Sequence, residues 1–183
     1  MTPDWRRRDG SEHNIRRFDP ERDTQALEHF KCNTPGVNFT RRPQRVIRDF
    51  PGVLADEAED DSHYEAFVCE YEDQIIGVVV FGPTSVGSQR IILALGVVRS
   101  QRRNYVGIAL KQRVLDTCYS RGERLVTSEV HIRNDAMNAL NAKLGVATTK
   151  VQGDNEYLLT LARLGATADD ERSVVLCRDL IDD

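Results

Sequence analysis

Long apolar runs are missing from this 183-residue chain, and so is any strong excess of one charge. No stretch approaches the roughly 20 apolar residues that a membrane helix needs, and the N-terminus lacks the apolar core of a signal peptide. A membrane or secreted protein is therefore not expected. Lys and Arg number 25 against 29 Asp and Glu, a formal charge of -4, which argues against nucleic-acid binding as the main activity. Cysteine is sparse: Cys32, Cys69, Cys118 and Cys177 lie far apart, with neither metal-knuckle nor redox-pair spacing. Scattered singly in apolar surroundings, they read as small core residues of a reduced, cytoplasmic protein.

What is present is ordinary for a globular protein, with 40% apolar and 30% charged residues. The length suits one domain with a substantial core. Residues 1–12 read as a loose polar leader, 13–183 as a single domain, and 166–183 as its C-terminal extension. Charge is laid down unevenly, basic at Arg6 to Arg8 and nearly all acidic from Asp56 to Asp61.

His13 to Phe18 reads as a first strand. Asp19 then caps a helix opened by Pro20, with Glu21 and Asp23 in the first turn; Ala26, Leu27 and Phe30 form its apolar face. A second helical region spans Arg42 to Ala58, with Val46, Ile47, Phe50, Val53 and Leu54 on one side and a break at Pro51-Gly52. The period then changes. Tyr64 to Tyr71 and Gln74 to Phe81 are strand-like around the turn Glu72-Asp73, and Arg90 to Val98 completes a meander. Its run Ile91-Ile92-Leu93-Ala94-Leu95 is apolar on both faces, as in a central, covered strand. Tyr105 to Ser120 carries Val106, Leu110, Val114 and Cys118 at helical spacing. Arg124 to Val130 is a strand, and Asn134 to Leu144 a helix with Met137, Leu140 and Leu144 inward. Ala147 to Gln152 and Glu156 to Ala162 read as a hairpin around Gly153-Asp154. A rival assignment makes Asn155 to Leu164 a helix and Ser173 to Arg178 the last strand.

The stretch from Leu93 to Leu115 organises the rest. A strand ends at Val98, a short basic turn follows, and a helix starts near Tyr105. That order aims backbone N–H groups and the positive end of a helix dipole at one point, a natural place for a phosphate or another anion. Arg99, Arg102 and Arg103 flank it.

These residues resemble the Gcn5-related N-acetyltransferase (GNAT) family from His13 to about Ala162. Its motif, Arg/Gln-x-x-Gly-x-Gly/Ala after a strand, is matched by Val97, Arg102-Arg103-Asn104-Tyr105-Val106-Gly107 and Ala109-Leu110-Lys111. Asn134-Asp135-Ala136-Met137 through Leu144-Gly145 is similar to the family's Asn-x-x-Met…Leu-Gly-Phe helix. The resemblance implies an α/β (α+β) fold, with a mixed, mostly antiparallel central sheet flanked by helices and a splayed parallel strand pair. It implies acetyl-CoA as cofactor, its pyrophosphate on the amides of Arg102 to Ile108 and its pantetheine arm along the backbone of Leu95 and Val97. Asn134 and Asn141 lie on the helix that would complete the cofactor site. Acetyl transfer to a primary amine of a small molecule or protein follows from the same resemblance, and edge strands with the C-terminal extension raise a homodimer.

The chain departs from the family pattern at four places, one of them Val146 in place of the usual Phe. Tyr105 stands where the loop has its first Gly, the strand Ile91 to Leu95 carries no Glu to act as general base, and Asn141 stands where many members carry a Tyr as general acid. An attacking amine must lose a proton. Glu129 and Glu70, on strands near the expected cleft, are the candidate acids, and Tyr157 is the nearest candidate hydroxyl. His131 reads as a structural strand-end residue. The same departures support an alternative, a GNAT-fold sensor or interaction module with weak or no CoA binding.

Overall fold

The computed structural model describes residues 6–56, 64–84, 88–150 and 156–164. Its elements follow in the order β1 (Asn14–Arg17), α1 (Pro20–Glu28), α2 (Arg41–Asp56), β2 (Glu65–Tyr71), β3 (Gln74–Pro83), β4 (Gln89–Val97), α3 (Val106–Ser120), β5 (Leu125–His131), α4 (Asp135–Lys143), β6 (Ala147–Lys150) and β7 (Tyr157–Arg163). Local chemistry explains several boundaries. The Asp19 carboxylate accepts from the Glu21 N–H at 3.0 Å, capping α1. Glu72 and Asp73 both take positive φ, 50° and 58°, the geometry of a tight hairpin turn between β2 and β3.

The strands form a seven-stranded sheet in the order β1-β2-β3-β4-β5-β7-β6. Every neighbouring pair is antiparallel except β4 and β5, which run parallel. This is the mixed, mostly antiparallel sheet that the resemblance implies. Strand alternation divides the core between the two faces. On β3, Val79 and Phe81 pack with Val106, Leu110 and Val114 of α3, whereas Val78 and Val80 pack with Leu27 of α1 and Ile47 and Phe50 of α2. Close approach is built in at Gly96, where a Cβ would lie 2.6 Å from Cys32 Sγ and 2.8 Å from Ile47 Cδ1. Among the described residues no helix is long and apolar enough to cross a membrane.

Several expectations need correction. Pro51 does not break α2, which runs on to Asp56. The proline removes a single bond, and the buried Ile47 and Phe50 immediately before it hold the helix against the sheet. Ala26 and Val53 are exposed rather than part of an apolar face. Residues 6–12 are not wholly loose: Arg7 is buried, lies 3.8 Å from the centre of the Tyr71 ring and donates to Gln101 Oε1 at 3.0 Å. β6 and β7 pair antiparallel, which excludes the rival helix over Tyr157–Arg163. The acidic run beyond Asp56, the turn at Gly153-Asp154, Cys177 and the tail from Thr167 lie outside the described residues.

Candidate active site

The one parallel pair among the described strands is short. β4 and β5 are in register from Gln89↔Leu125 to Ile92↔Ser128 and then separate, although β4 continues to Val97 and β5 to His131. On its other side β4 carries a bulge: Val80 faces Ala94 but Phe81 faces Ile92, leaving Leu93 as the extra residue. Leu93 and Ala94 consequently both pack towards α2, and the strand bends where it leaves β5. The Val98 N–H donates to the Ile76 carbonyl of β3 at 2.9 Å. By alternation the N–H and C=O groups of Val97 and Leu95 point the other way, into the gap.

The gap is a slot of about 90 Å³ lined by Ile91 to Leu95, Lys111, Ser128 to His131, Met137 and Tyr157. Beside it lies a wider groove of about 690 Å³. Phe39, Pro43, Leu95, Asn134 and Met137 line both, and the groove runs on past Val97 to the start of α3. There Tyr105 is the N-cap with φ 60° and ψ 7°, preceded by Arg103 at φ 69°. This left-handed conformation is the reason a glycine suits the position. Tyr105 adopts it nonetheless, with its ring 5.3 Å from Lys143 Nζ on α4. The Tyr105 side chain makes no capping bond to α3, and the first-turn amides of the helix are directed at the groove without an intrahelical partner. Gly107 keeps the floor low: a Cβ there would lie 3.2 Å from Leu140 Cδ1 and 3.4 Å from Leu95 Cδ2.

The groove therefore gathers Leu95, Val97, Arg102, Arg103, Tyr105, Val106, Gly107, Ile108 and Asn134, all expected from the sequence to meet a cofactor. Two of these side chains have other work. Arg102 donates to the Cys32 carbonyl at 2.6 Å and to Thr34 Oγ1 at 2.9 Å, tying the loop before α2 to the basic turn. Asn134 caps α4 by accepting from the Met137 N–H at 3.2 Å. Asn104 is turned inward to Gln101 Oε1 at 3.0 Å and does not line the groove.

The candidate acids are separated. Glu129 lines the slot, with Arg42 of α2 at 3.5 Å. Beside it Phe39 stacks on His131 at 4.6 Å, and His131 meets the Tyr157 ring edge-on at 5.2 Å. His131 Nδ1 accepts from the Arg133 N–H at 3.1 Å, a strand-end role. Glu70 is elsewhere, on β2, where Arg16 and Arg22 hold its carboxylate at 2.6 and 2.7 Å. Arg16 also grips Asp23 at 2.6 Å. The Arg16 hydrogen bond, ahead of a smaller opposing effect of burial, holds the Glu70 carboxyl below its ordinary range.

Sequence reasoning missed Lys111. It is only 2% exposed, and its Nζ donates to Asn141 Oδ1 at 2.6 Å and Ser128 Oγ at 3.5 Å. Ser128 in turn bonds Thr160 Oγ1 at 2.5 Å. Asn141 is fully buried beneath the groove and serves this contact rather than lining the cleft. Burial pushes the Lys111 ammonium down to about 8. A signal was available: Ile108, Lys111, Leu115 and Cys118 form an i, i+3, i+7, i+10 stripe, so a charge stands at an inward position.

A mixed sheet whose parallel pair opens beside a helix N-terminus is the arrangement that the resemblance to the GNAT family implies. The sequence profile of the Acetyltransferase (GNAT) family matches residues 24–146, and the chain belongs to that family. No curated protein matches the chain in sequence. Solved structures share the fold at low identity. The ribosomal-protein-S18-alanine N-acetyltransferase of Escherichia coli is 15% identical, with a TM-score of 0.61 over 86% of this chain and 97% of its own. An N-acetyltransferase of Staphylococcus aureus Mu50 is 20% identical, with a TM-score of 0.62 over 84% and 98%. The PaiA N-acetyltransferase of Thermoplasma acidophilum, solved in complex with coenzyme A, is 12% identical, with a TM-score of 0.63 over 83% and 99%.

Proposed function

We propose that this protein is an N-acetyltransferase that moves an acetyl group from acetyl-CoA to a primary amine by direct attack. One observation carries the reading: the inward-turned backbone of Leu95 and Val97 stands where β4 leaves β5, between the slot and the start of α3. An extended pantetheine arm needs backbone partners of that kind, a pyrophosphate needs first-turn helix amides such as those of Val106, Gly107 and Ile108, and a thioester fits the narrow slot. The coenzyme A complex of the Thermoplasma relative supports the same ligand here. Family membership supports acyl transfer in general; the amine acceptor and acetyl-CoA itself are the added step. A reduced, cytoplasmic setting goes with this substrate and with the buried free thiols of Cys32, Cys69 and Cys118.

In this reading the N–H of Val97 polarises the thioester carbonyl, and the slot holds the acceptor nitrogen close to its carbon. Glu129 takes the proton that the amine must lose, directly or through water. Phe39, His131 and Tyr157 wall the acceptor side. Glu70, bound by two arginines away from the slot, is given no part in the chemistry. Calorimetry with acetyl-CoA is the first test, followed by an amine screen that follows thiol release. Heat of binding and turnover with at least one amine are expected, and Glu129→Gln should lower kcat by roughly 10²–10⁴-fold while binding persists. The absence of any heat at millimolar acetyl-CoA would sink the proposal. It would favour a non-catalytic module instead, the reading to which Tyr105 in the phosphate turn and the committed Arg102 lend weight.

A further inference from the structure

Lys111 is a buried amine to which the outline above gives no role. Its stem fills an inward position of α3, where an apolar side chain would complete the stripe formed by Ile108, Leu115 and Cys118. An ammonium has three donors. Two go to Asn141 and Ser128, and the third has no partner among the described residues. No carboxylate of those residues lies within ion-pair reach of it. A cation desolvated in this way is costly unless an anion meets it at some stage.

Its place in the sheet says where that anion arises. Ser128 is the last β5 residue paired with β4, so Lys111 stands at the vertex of the slot it lines. Ser128 turns its side chain towards α3 and α4, and Glu129, the next residue, turns towards Arg42 on α2. Lys111 thus enters from one face of the sheet. The other titratable groups of the slot, Arg42, Glu129, His131 and Tyr157, enter from the opposite face. The two ends of an acyl transfer need this separation: a base beside the attacking nitrogen and an acid beside the departing group.

Resting on the acetyltransferase reading, we propose that Lys111 is the proton donor to the sulfur of coenzyme A as the thioester breaks. The acceptor nitrogen forms its bond to the carbonyl carbon, and the carbon–sulfur bond breaks with its electron pair going to sulfur. A proton passes from Lys111 Nζ to that sulfur, leaving a thiol and a neutral amine. The surplus proton on the new amide nitrogen goes to Glu129 or water, and Lys111 regains a proton from solvent after product release. Asn141 and Ser128 are positioning residues that aim the ammonium. Burial brings the ammonium to about 8, close to an ordinary thiol, so the transfer is not steeply uphill in either direction.

The test requires no known acceptor. Wild type and Lys111→Met are titrated with coenzyme A and with desulfo-coenzyme A, and the bound thiol is titrated by its thiolate absorbance, the desulfo complex serving as blank. In wild type the bound thiol should have an acid dissociation constant about tenfold or more larger than in Lys111→Met, with equal affinity of both proteins for the desulfo ligand. Equal thiol titration in the two proteins overturns the proposal and leaves the acetyltransferase reading intact. Failure of wild type to bind either ligand overturns that reading instead. If Lys111→Met does not fold, wild type decides alone: a bound thiol titrating like free coenzyme A refutes the role. Acetylation of Lys111 itself, seen by mass spectrometry after incubation with acetyl-CoA, also refutes it.

Discussion

Replacing Lys111 by Met keeps a long, unbranched stem in the core of α3 and deletes the buried charge. The free lysine value of 10.5 falls to about 8 in the folded protein, a difference worth roughly 3 kcal/mol. The sign follows from proton counting. Between those two values the unfolded chain holds more protons than the native one, so wild-type stability rises with pH across that window. The penalty is complete below about pH 8 and vanishes above about pH 10.5. Met removes it but leaves the buried Asn141 Oδ1 without its donor, at a cost of about 1–3 kcal/mol. At neutral pH Lys111→Met should therefore match wild type or exceed it by up to about 2 kcal/mol, and wild type should gain on it as pH rises. The assay is urea unfolding of both proteins at several pH values, read as the difference between them so that shared titrations cancel. A difference that stays constant from neutral pH to above 10 would show that the native amine is solvated and that the burial argument is wrong.

Three further outcomes are expected. Tyr105→Gly relieves left-handed strain of roughly 1–2 kcal/mol but adds unfolded-state freedom of similar size. Its unfolding midpoint should barely move while its affinity for coenzyme A, measured by calorimetry, rises several-fold; unchanged affinity would place the ring clear of the phosphates. Glu70→Gln should destabilise the fold by about 1–3 kcal/mol without changing coenzyme A affinity, since it breaks the cluster with Arg16 and Arg22. Because the Glu70 and Asp23 carboxyls are both held below their ordinary ranges, their stabilisation is present above about pH 4.5 and lost as pH falls through the native values. The variant should show a weaker acid-side loss in denaturation curves. Gly96→Val should cost about 1–3 kcal/mol or more by overpacking, because even its Cβ collides with Cys32 and Ile47.

The elements that could be read along the chain are those whose signal is local. The Val106, Leu110, Val114, Cys118 stripe is fully buried, or nearly so, and Asp19, Glu72-Asp73 and Asn134 form the caps and turn that their chemistry specifies. What the sequence leaves open is which side of the sheet, or which distant loop, a residue meets. Glu70 and Glu129 look alike as strand carboxylates, yet one lies among the arginines of β1 and α1 and the other opposite Arg42. Period alone assigns neither strand order nor face. The partners of Arg102, Cys32 and Thr34, are about seventy positions away in the chain, beyond the reach of a local motif. A lysine inside a helix ordinarily reaches solvent, and only its place on the stripe marks Lys111 as inward.

The abrupt end of pairing at Ile92 and Ser128 has a consequence for motion. β4 remains tied to β3 through one set of its backbone groups, while the alternate set, at Leu95 and Val97, has lost its neighbour. Successive amides of a single strand should therefore differ sharply in hydrogen exchange, fast at Leu95 and Val97 and slow at Gly96. An extended ligand laid in the gap supplies the missing hydrogen bonds and acts, in effect, as a short guest strand. Exchange at those two positions should then slow selectively. The gap is thus also a break in the cooperativity of the sheet, one that an extended ligand would repair on binding and reopen on leaving.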